Sequence, residues 1–169
     1  ETRQHPRLPG AELPLTVTPV ADPALAFQAP IWISALPTQV SPEVWRRLAD
    51  TATTRPELMI HVSKGILQEG HRRLSEALGP ILGIPIGVLS GPSFADEVAI
   101  DLPAAVVLAL PEAIEEPRAR QLQALLATPR LRLYLSRDVA GAELCGALKN
   151  VLSIAAGLLK PTIAAITPT

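Results

Sequence analysis

Leu58-Met59-Ile60-His61-Val62 is a short apolar run, and Ser63-Lys64-Gly65 follows it without a gap. A run of five bounded by turn-forming residues predicts a strand buried on both faces. Such strands belong to parallel sheets, whose strands need helical crossovers between them. The sequence on either side has that form. Upstream, Ile31-Trp32-Ile33-Ser34-Ala35-Leu36 is a second run that stops at Pro37. Between the two, Ser41-Pro42-Glu43 has the order of a helix start, and predicts a helix to about Ala52. Downstream, a helix is predicted near Gly70–Leu78, then a strand at Ile86-Gly87-Val88-Leu89 that ends on Ser90-Gly91-Pro92-Ser93. Ser93 and Asp96 have the spacing of a capping box for the next helix. A strand over Ala104–Leu110, a helix over Pro117–Leu126 and an alternating strand over Leu131–Leu135 complete the series.

Strand and helix alternate throughout, which predicts an α/β fold with a mostly parallel sheet. Near Asp138 the pattern changes. Leu144, Leu148, Val151, Leu152, Ala155 and Leu159 recur at helical spacing. No strand follows. A boundary is therefore expected at 138/139, with 139–169 opening a second, helical domain. Pro161 is expected to end the helix. Residues 1–28 are proline-rich and weakly periodic, and read as loop with a short helix at Pro23–Phe27.

Composition excludes several function classes. With 169 residues, 48% hydrophobic and 18% charged, the chain can bury a core. Net charge is -1 and aromatics are 3%, without a basic stripe, so a nucleic-acid surface is not expected. Cys145 is the only cysteine, so no internal disulfide can form. No uninterrupted apolar run reaches about 18 residues, so no membrane span is expected. No leader pattern is visible, and a cytoplasmic protein is expected.

In open α/β sheets ligands bind at the carboxyl ends of the strands. Three such ends stand out here: Leu36-Pro37-Thr38-Gln39, Val62-Ser63-Lys64-Gly65 and Ser90-Gly91-Pro92-Ser93. A lysine beside a helix start suits a phosphate or pyrophosphate. The spacing alone fits equally a tight turn shaped by Gly91 and Pro92. Lys149 lies about 100° from the leucine stripe, among Ala142, Cys145, Gly146 and Ser153. That small face lets another surface approach. Two readings of Lys149 stay open, a solvated lysine or one held in a partly dry cleft for proton transfer. His5, His61 and His71 have no metal spacing, and no metal site is expected. His61 reads as a packing residue. The sequence contains no G-x-G-x-x-G.

Val62–Ile66, Leu89–Ala99 and Gly141–Val151 together resemble, in order and spacing, the bacterial NAD(P)-dependent glycerol-3-phosphate dehydrogenase family. The segments 102–107 and 129–134 look like its intervening strands, and 6–14 like its linker. The resemblance implies a Rossmann-like domain followed by an all-helical one. It implies hydride transfer between NADH or NADPH and the C2 carbonyl of dihydroxyacetone phosphate, giving sn-glycerol 3-phosphate for phospholipid synthesis. By motif, Lys149 is the expected catalytic lysine. Lys64 is expected to touch both cofactor and substrate. Gly91, Ser93 and Asn150 are expected substrate contacts, and Ala95 and Pro37 cofactor contacts. A homodimer is expected of the full-length parent.

Two departures from the family pattern carry expectations of their own. The family's first βα unit, with its glycine-rich turn, is expected to precede residue 1. Its helical domain is expected to continue past Leu158, where the present tail does not resemble it. A 169-residue piece truncated at both ends would be inactive or nearly so. Other readings are a 6-phosphogluconate or hydroxyisobutyrate type dehydrogenase, or a non-catalytic degraded gene product.

Overall fold

The computed structural model describes residues 4–5, 8–52 and 54–164. Strands β3 (Ile31–Ser34), β4 (Leu58–His61), β5 (Ile86–Ser90), β6 (Ala104–Ala109) and β7 (Leu131–Ser136) form one sheet in that order. β3, β4 and β5 are mutually parallel, β6 and β7 are parallel to each other, and β5 meets β6 antiparallel. The sheet is thus the mostly parallel, Rossmann-like one expected. Its reversal at β5/β6 has a consequence for the site. The carboxyl ends of β3, β4 and β5 share one edge, while β6 and β7 end at the other.

Every residue of β4 is buried. Successive side chains point to opposite faces. Met59 accordingly joins Trp32, Trp45, Leu74, Leu78 and Ile86 under α2 (Ser41–Ala49) and α3 (Leu74–Leu82). Leu58 and Ile60 join Val106, Leu108, Leu122 and Leu133 under α5 (Glu116–Leu126). Each fully buried leucine contributes about 1.5–3 kcal/mol. These two clusters fix which way the carboxyl edge points.

Helix α6 (Val139–Ala164) leaves β7 after two residues and packs on β5 and β6. Asp138 Oδ1 accepts the Gly141 N–H (2.7 Å) and so satisfies one of its free N-terminal donors. Gly146 then lies against Ser90, so α6 runs along β5 toward the shared edge.

Several expectations are corrected. Within 1–28, β1 (Gln4–His5) and β2 (Leu8–Glu12) form an antiparallel pair, while α1 (Pro23–Ala26) is the short helix expected. A two-stranded ribbon tolerates proline, which hid it from periodicity. The helix expected at 70–78 begins instead at Leu74, after a 3-10 turn at Glu69–His71, and carries Pro80 inside. The capping box at Ser93 and Asp96 does not form. Helix α4 (Ala95–Ala99) starts after Phe94, with no side-chain cap. Pro161 does not stop α6, which runs on to Ala164. The segment Val139–Leu159 is long and apolar enough, by length and composition, to cross a membrane. That is contrary to the expectation from uninterrupted runs. Its first half is nonetheless docked on the sheet through a buried, charged network.

Candidate active site

The loop after β3 and the loop after β4 are stitched together by side chains. Ser63 Oγ donates to Leu36 O (2.5 Å), and Thr38 Oγ1 donates to Lys64 O (3.1 Å). Gln39 bridges both ways: its Nε2 donates to Ile66 O (2.8 Å), and its Oε1 accepts the Gln68 N–H (3.0 Å). Gly65 makes this tight crossing possible with φ of +138°, a conformation that side chains disfavour. These bonds hold the Lys64 backbone at the carboxyl edge.

Lys64 Nζ reaches across to the next strand end and donates to Gly91 O (3.0 Å). The same oxygen accepts the Ser93 N–H (2.9 Å), so it anchors both a cation and the turn into α4. Gly91 is required there. A Cβ would sit 2.9 Å from Val106 Cα and 3.0 Å from Ala105 O.

Lys149 arrives from α6. Its Nζ lies 4.8 Å from the centroid of the Phe94 ring, which Gly91–Ser93 has turned toward it. A cation over an aromatic face is held by about 0.5–1 kcal/mol at such exposed sites. Burial pushes the Lys64 ammonium below the usual lysine range, and the charge of Lys149 pushes it further the same way. The two ammonium groups therefore share one site. Neither is ion-paired to a carboxylate among the described residues. A cleft of about 440 Å³ opens between α6 and β5, lined by Ser90, Gly91, Pro92, Cys145, Gly146 and Lys149. The small face of α6 is thus the one the sheet approaches. A Cβ at Gly146 would meet Ser90 Oγ at 2.7 Å.

Of the residues singled out in the sequence, Lys64, Gly91, Ser93 and Lys149 are brought together. Asn150 follows on α6 and is exposed; Ala95 opens α4 and Pro37 follows β3, both also exposed. Sequence reasoning missed the network behind them. Glu143, only 5% exposed, accepts from four donors. Its Oε1 takes His61 Nε2–H (3.1 Å) and the Ser75 N–H (2.8 Å); its Oε2 takes Arg73 Nη1–H (3.0 Å) and Ser75 Oγ–H (2.6 Å). Burial works to raise the Glu143 pKa. The hydrogen bonds from His61 and from the Ser75 hydroxyl and backbone N–H outweigh it and hold the carboxyl below its ordinary value. A signal was available: Glu143 is the lone acid in a mostly apolar helix.

Comparison with known proteins agrees with this geometry. Residues 1–115 match the family model described as NAD-dependent glycerol-3-phosphate dehydrogenase N-terminus. The chain is 43% identical over 162 residues to a glycerol-3-phosphate dehydrogenase [NAD(P)+] of Acidiphilium cryptum, covering 92% of this chain and 46% of the relative. It is 41% identical over 159 residues to the protein of that name from Bradyrhizobium diazoefficiens, covering 94% and 48%. A crystal structure of glycerol-3-phosphate dehydrogenase from Coxiella burnetii superposes with a TM-score of 0.77 at 32% identity, over 90% of this chain and 46% of that one. The chain spans about half the length of the curated relatives it matches. With its sheet, its two lysines and these matches in agreement, the chain belongs to the NAD(P)-dependent glycerol-3-phosphate dehydrogenase family.

Proposed function

We propose that Lys64 and Lys149 are the cationic half of an active site that interconverts dihydroxyacetone phosphate and sn-glycerol 3-phosphate in the full-length protein. The observation that carries this reading is the pair itself: two ammonium groups at the carboxyl edge, without a neutralising carboxylate among the described residues. Such a pair attracts a phosphorylated triose and stabilises negative charge on a carbonyl oxygen. When bound, NADH or NADPH supplies the hydride.

Lys149 donates a proton to the C2 oxygen in reduction and removes it in oxidation. Lys64, fixed by Gly91 O, keeps the substrate beside it and faces the cofactor. Gly91 and Ser93 shape the substrate side, and Asn150 orients the substrate next to Lys149. Pro37 and Ala95 line the cofactor side. These residues suit the reacting end of the cofactor. They do not supply its pyrophosphate cradle, because the sequence has no G-x-G-x-x-G. The isolated 169 residues are accordingly expected to turn over slowly at best.

The same reading places a domain boundary at 138/139, with α6 opening a helical domain. It also places the protein in the cytoplasm, as a homodimer at full length. Fluorescence titration with NADH and NADPH, together with turnover of dihydroxyacetone phosphate, tests the lysine roles in the full-length protein. Lys149→Ala is expected to lower kcat by about 10²–10⁴-fold, the usual worth of a general acid, and to leave nucleotide affinity within a few-fold. Lys64→Ala is expected to weaken both substrate and nucleotide binding. Full turnover by Lys149→Ala would end this assignment.

A further inference from the structure

We propose that Glu143 is a positioning residue: its carboxylate, gripped by His61, Ser75 and Arg73, fixes the rotation of α6 and thereby aims Lys149 at the substrate. The inference rests on the assignment of Lys149 as proton donor.

Glu143 and Lys149 are six residues apart on one helix. That separation is about 9 Å of rise and about 240° of rotation, so the two side chains leave α6 on different sides. A helix resting on small residues such as Ala142 and Gly146 has little to stop it from rolling. Small faces interlock weakly, because few side-chain atoms project into the neighbouring surface. Glu143 supplies the missing constraint. It is bound from two separate elements, His61 at the end of β4 and Arg73 with Ser75 at the start of α3. Both carboxylate oxygens are used, which fixes the orientation of the side chain as well as its place.

Arg73 is itself held by Glu76 as well as by Ser75 Oγ (3.1 Å), so the grip is rigid. The charged and titratable groups facing Glu143 are therefore His61 from β4 and Arg73 from α3, with Glu76 behind Arg73. The His61 ring is buried, and its Nε2 donates to the ionised carboxylate. Nothing in this network touches the cleft lined by Lys149, so its influence on the reaction passes through the helix.

Glu143→Gln tests the idea with little change of shape. The glutamine oxygen can keep the His61 and Ser75 N–H bonds, but its amide nitrogen then confronts the Arg73 donor. Ser75→Ala is the milder companion, since it removes one hydroxyl and keeps the backbone bond. In the full-length protein, with dihydroxyacetone phosphate and NADH, Glu143→Gln is expected to lower kcat about tenfold or more, and Ser75→Ala by less. The KM for dihydroxyacetone phosphate should change less than about threefold in both. NADH should still bind at one per chain with unchanged Kd, which excludes simple loss of folded protein. Wild-type kcat in Glu143→Gln, with Lys149→Ala inactive, would overturn the positioning role alone. A fall in kcat matched by an equal fall in bound NADH per chain would also overturn it, in favour of a purely structural role. Full turnover by Lys149→Ala would remove the assignment and this proposal together.

Discussion

The two halves of α6 have opposite surroundings, and the more apolar half is the exposed one. From Val139 to Lys149 the helix lies on the sheet, with Glu143 bound and Gly146 against Ser90. From Val151 to Leu159 the large side chains face solvent: Leu152 is 66% exposed and Leu158 74%. The difference shows that hydrophobicity did not choose the docked face. Shape and one buried charge did. The leucine stripe, which periodicity marks as the face to be covered, is the face the described residues leave open. An exposed apolar stripe of this kind marks a surface that another polypeptide covers, and the chain spans about half the length of the curated relatives it matches.

The most damaging way to break the contrast is to empty the docked half of its charge partner. Glu143→Ala leaves the buried His61 and the half-buried Arg73 without their carboxylate, although Arg73 keeps Glu76, and loss of one member of such a network costs up to about 3–5 kcal/mol. Urea unfolding at neutral pH should show a loss of that size. The pH dependence has a definite sign. Because the folded Glu143 pKa lies below its ordinary 4.5, the stabilisation is fully present above that value and is lost as pH falls through the lower, folded one. The difference between wild type and Glu143→Ala should therefore shrink below pH 4.5. A constant difference down to complete acid unfolding would show that the carboxylate charge contributes nothing.

A smaller effect separates the two halves by their glycines. Gly146→Ala places a Cβ 2.7 Å from Ser90 Oγ, and overpacking of this kind costs about 1–3 kcal/mol. Helix propensity returns up to about 1 kcal/mol of that. Gly157→Ala meets no atom within 4 Å, so it should keep that gain and raise stability slightly. Opposite signs in thermal unfolding support the contrast. A gain at both positions would mean that α6 is free along its whole length, and a loss at both that it is docked throughout.

Much of this was legible beforehand, and for identifiable reasons. β4 and β5 are apolar runs closed by turn residues, so their strands and the lysine-bearing end could be placed by pattern. Lys149 could be placed among small residues because helical geometry fixes its neighbours. The partners of Glu143 could not. Ser75 and His61 are 68 and 82 residues away from it, and local periodicity carries no record of pairings at that distance. The β1–β2 pair was missed for a different reason, since prolines there mask alternation. The direction in which the leucine stripe faces was equally hidden, because amphipathicity names a face without naming its partner.

The smallest expected effect is the most informative about that partner. Leu152→Ala deletes a large apolar side chain that is mostly in solvent in this structure. In the 169-residue chain the change should therefore stay within about 0.5 kcal/mol, as exposed substitutions do. Ala is also a slightly better helix former than Leu, so no helix propensity is lost. A buried leucine treated the same way costs about 2–5 kcal/mol, because transfer energy and cavity add. Urea midpoints of the same substitution at the two chain lengths thus measure the cover directly. A near-zero change at 169 residues and a loss of 2 kcal/mol or more at full length would mean that the rest of the polypeptide packs on the stripe. It would then hold the free half of α6 as Glu143 holds the docked half. A large loss already at 169 residues would mean that the stripe is buried in solution, by self-association or by a rotated helix, and the rotation set by Glu143 would have to be given up first.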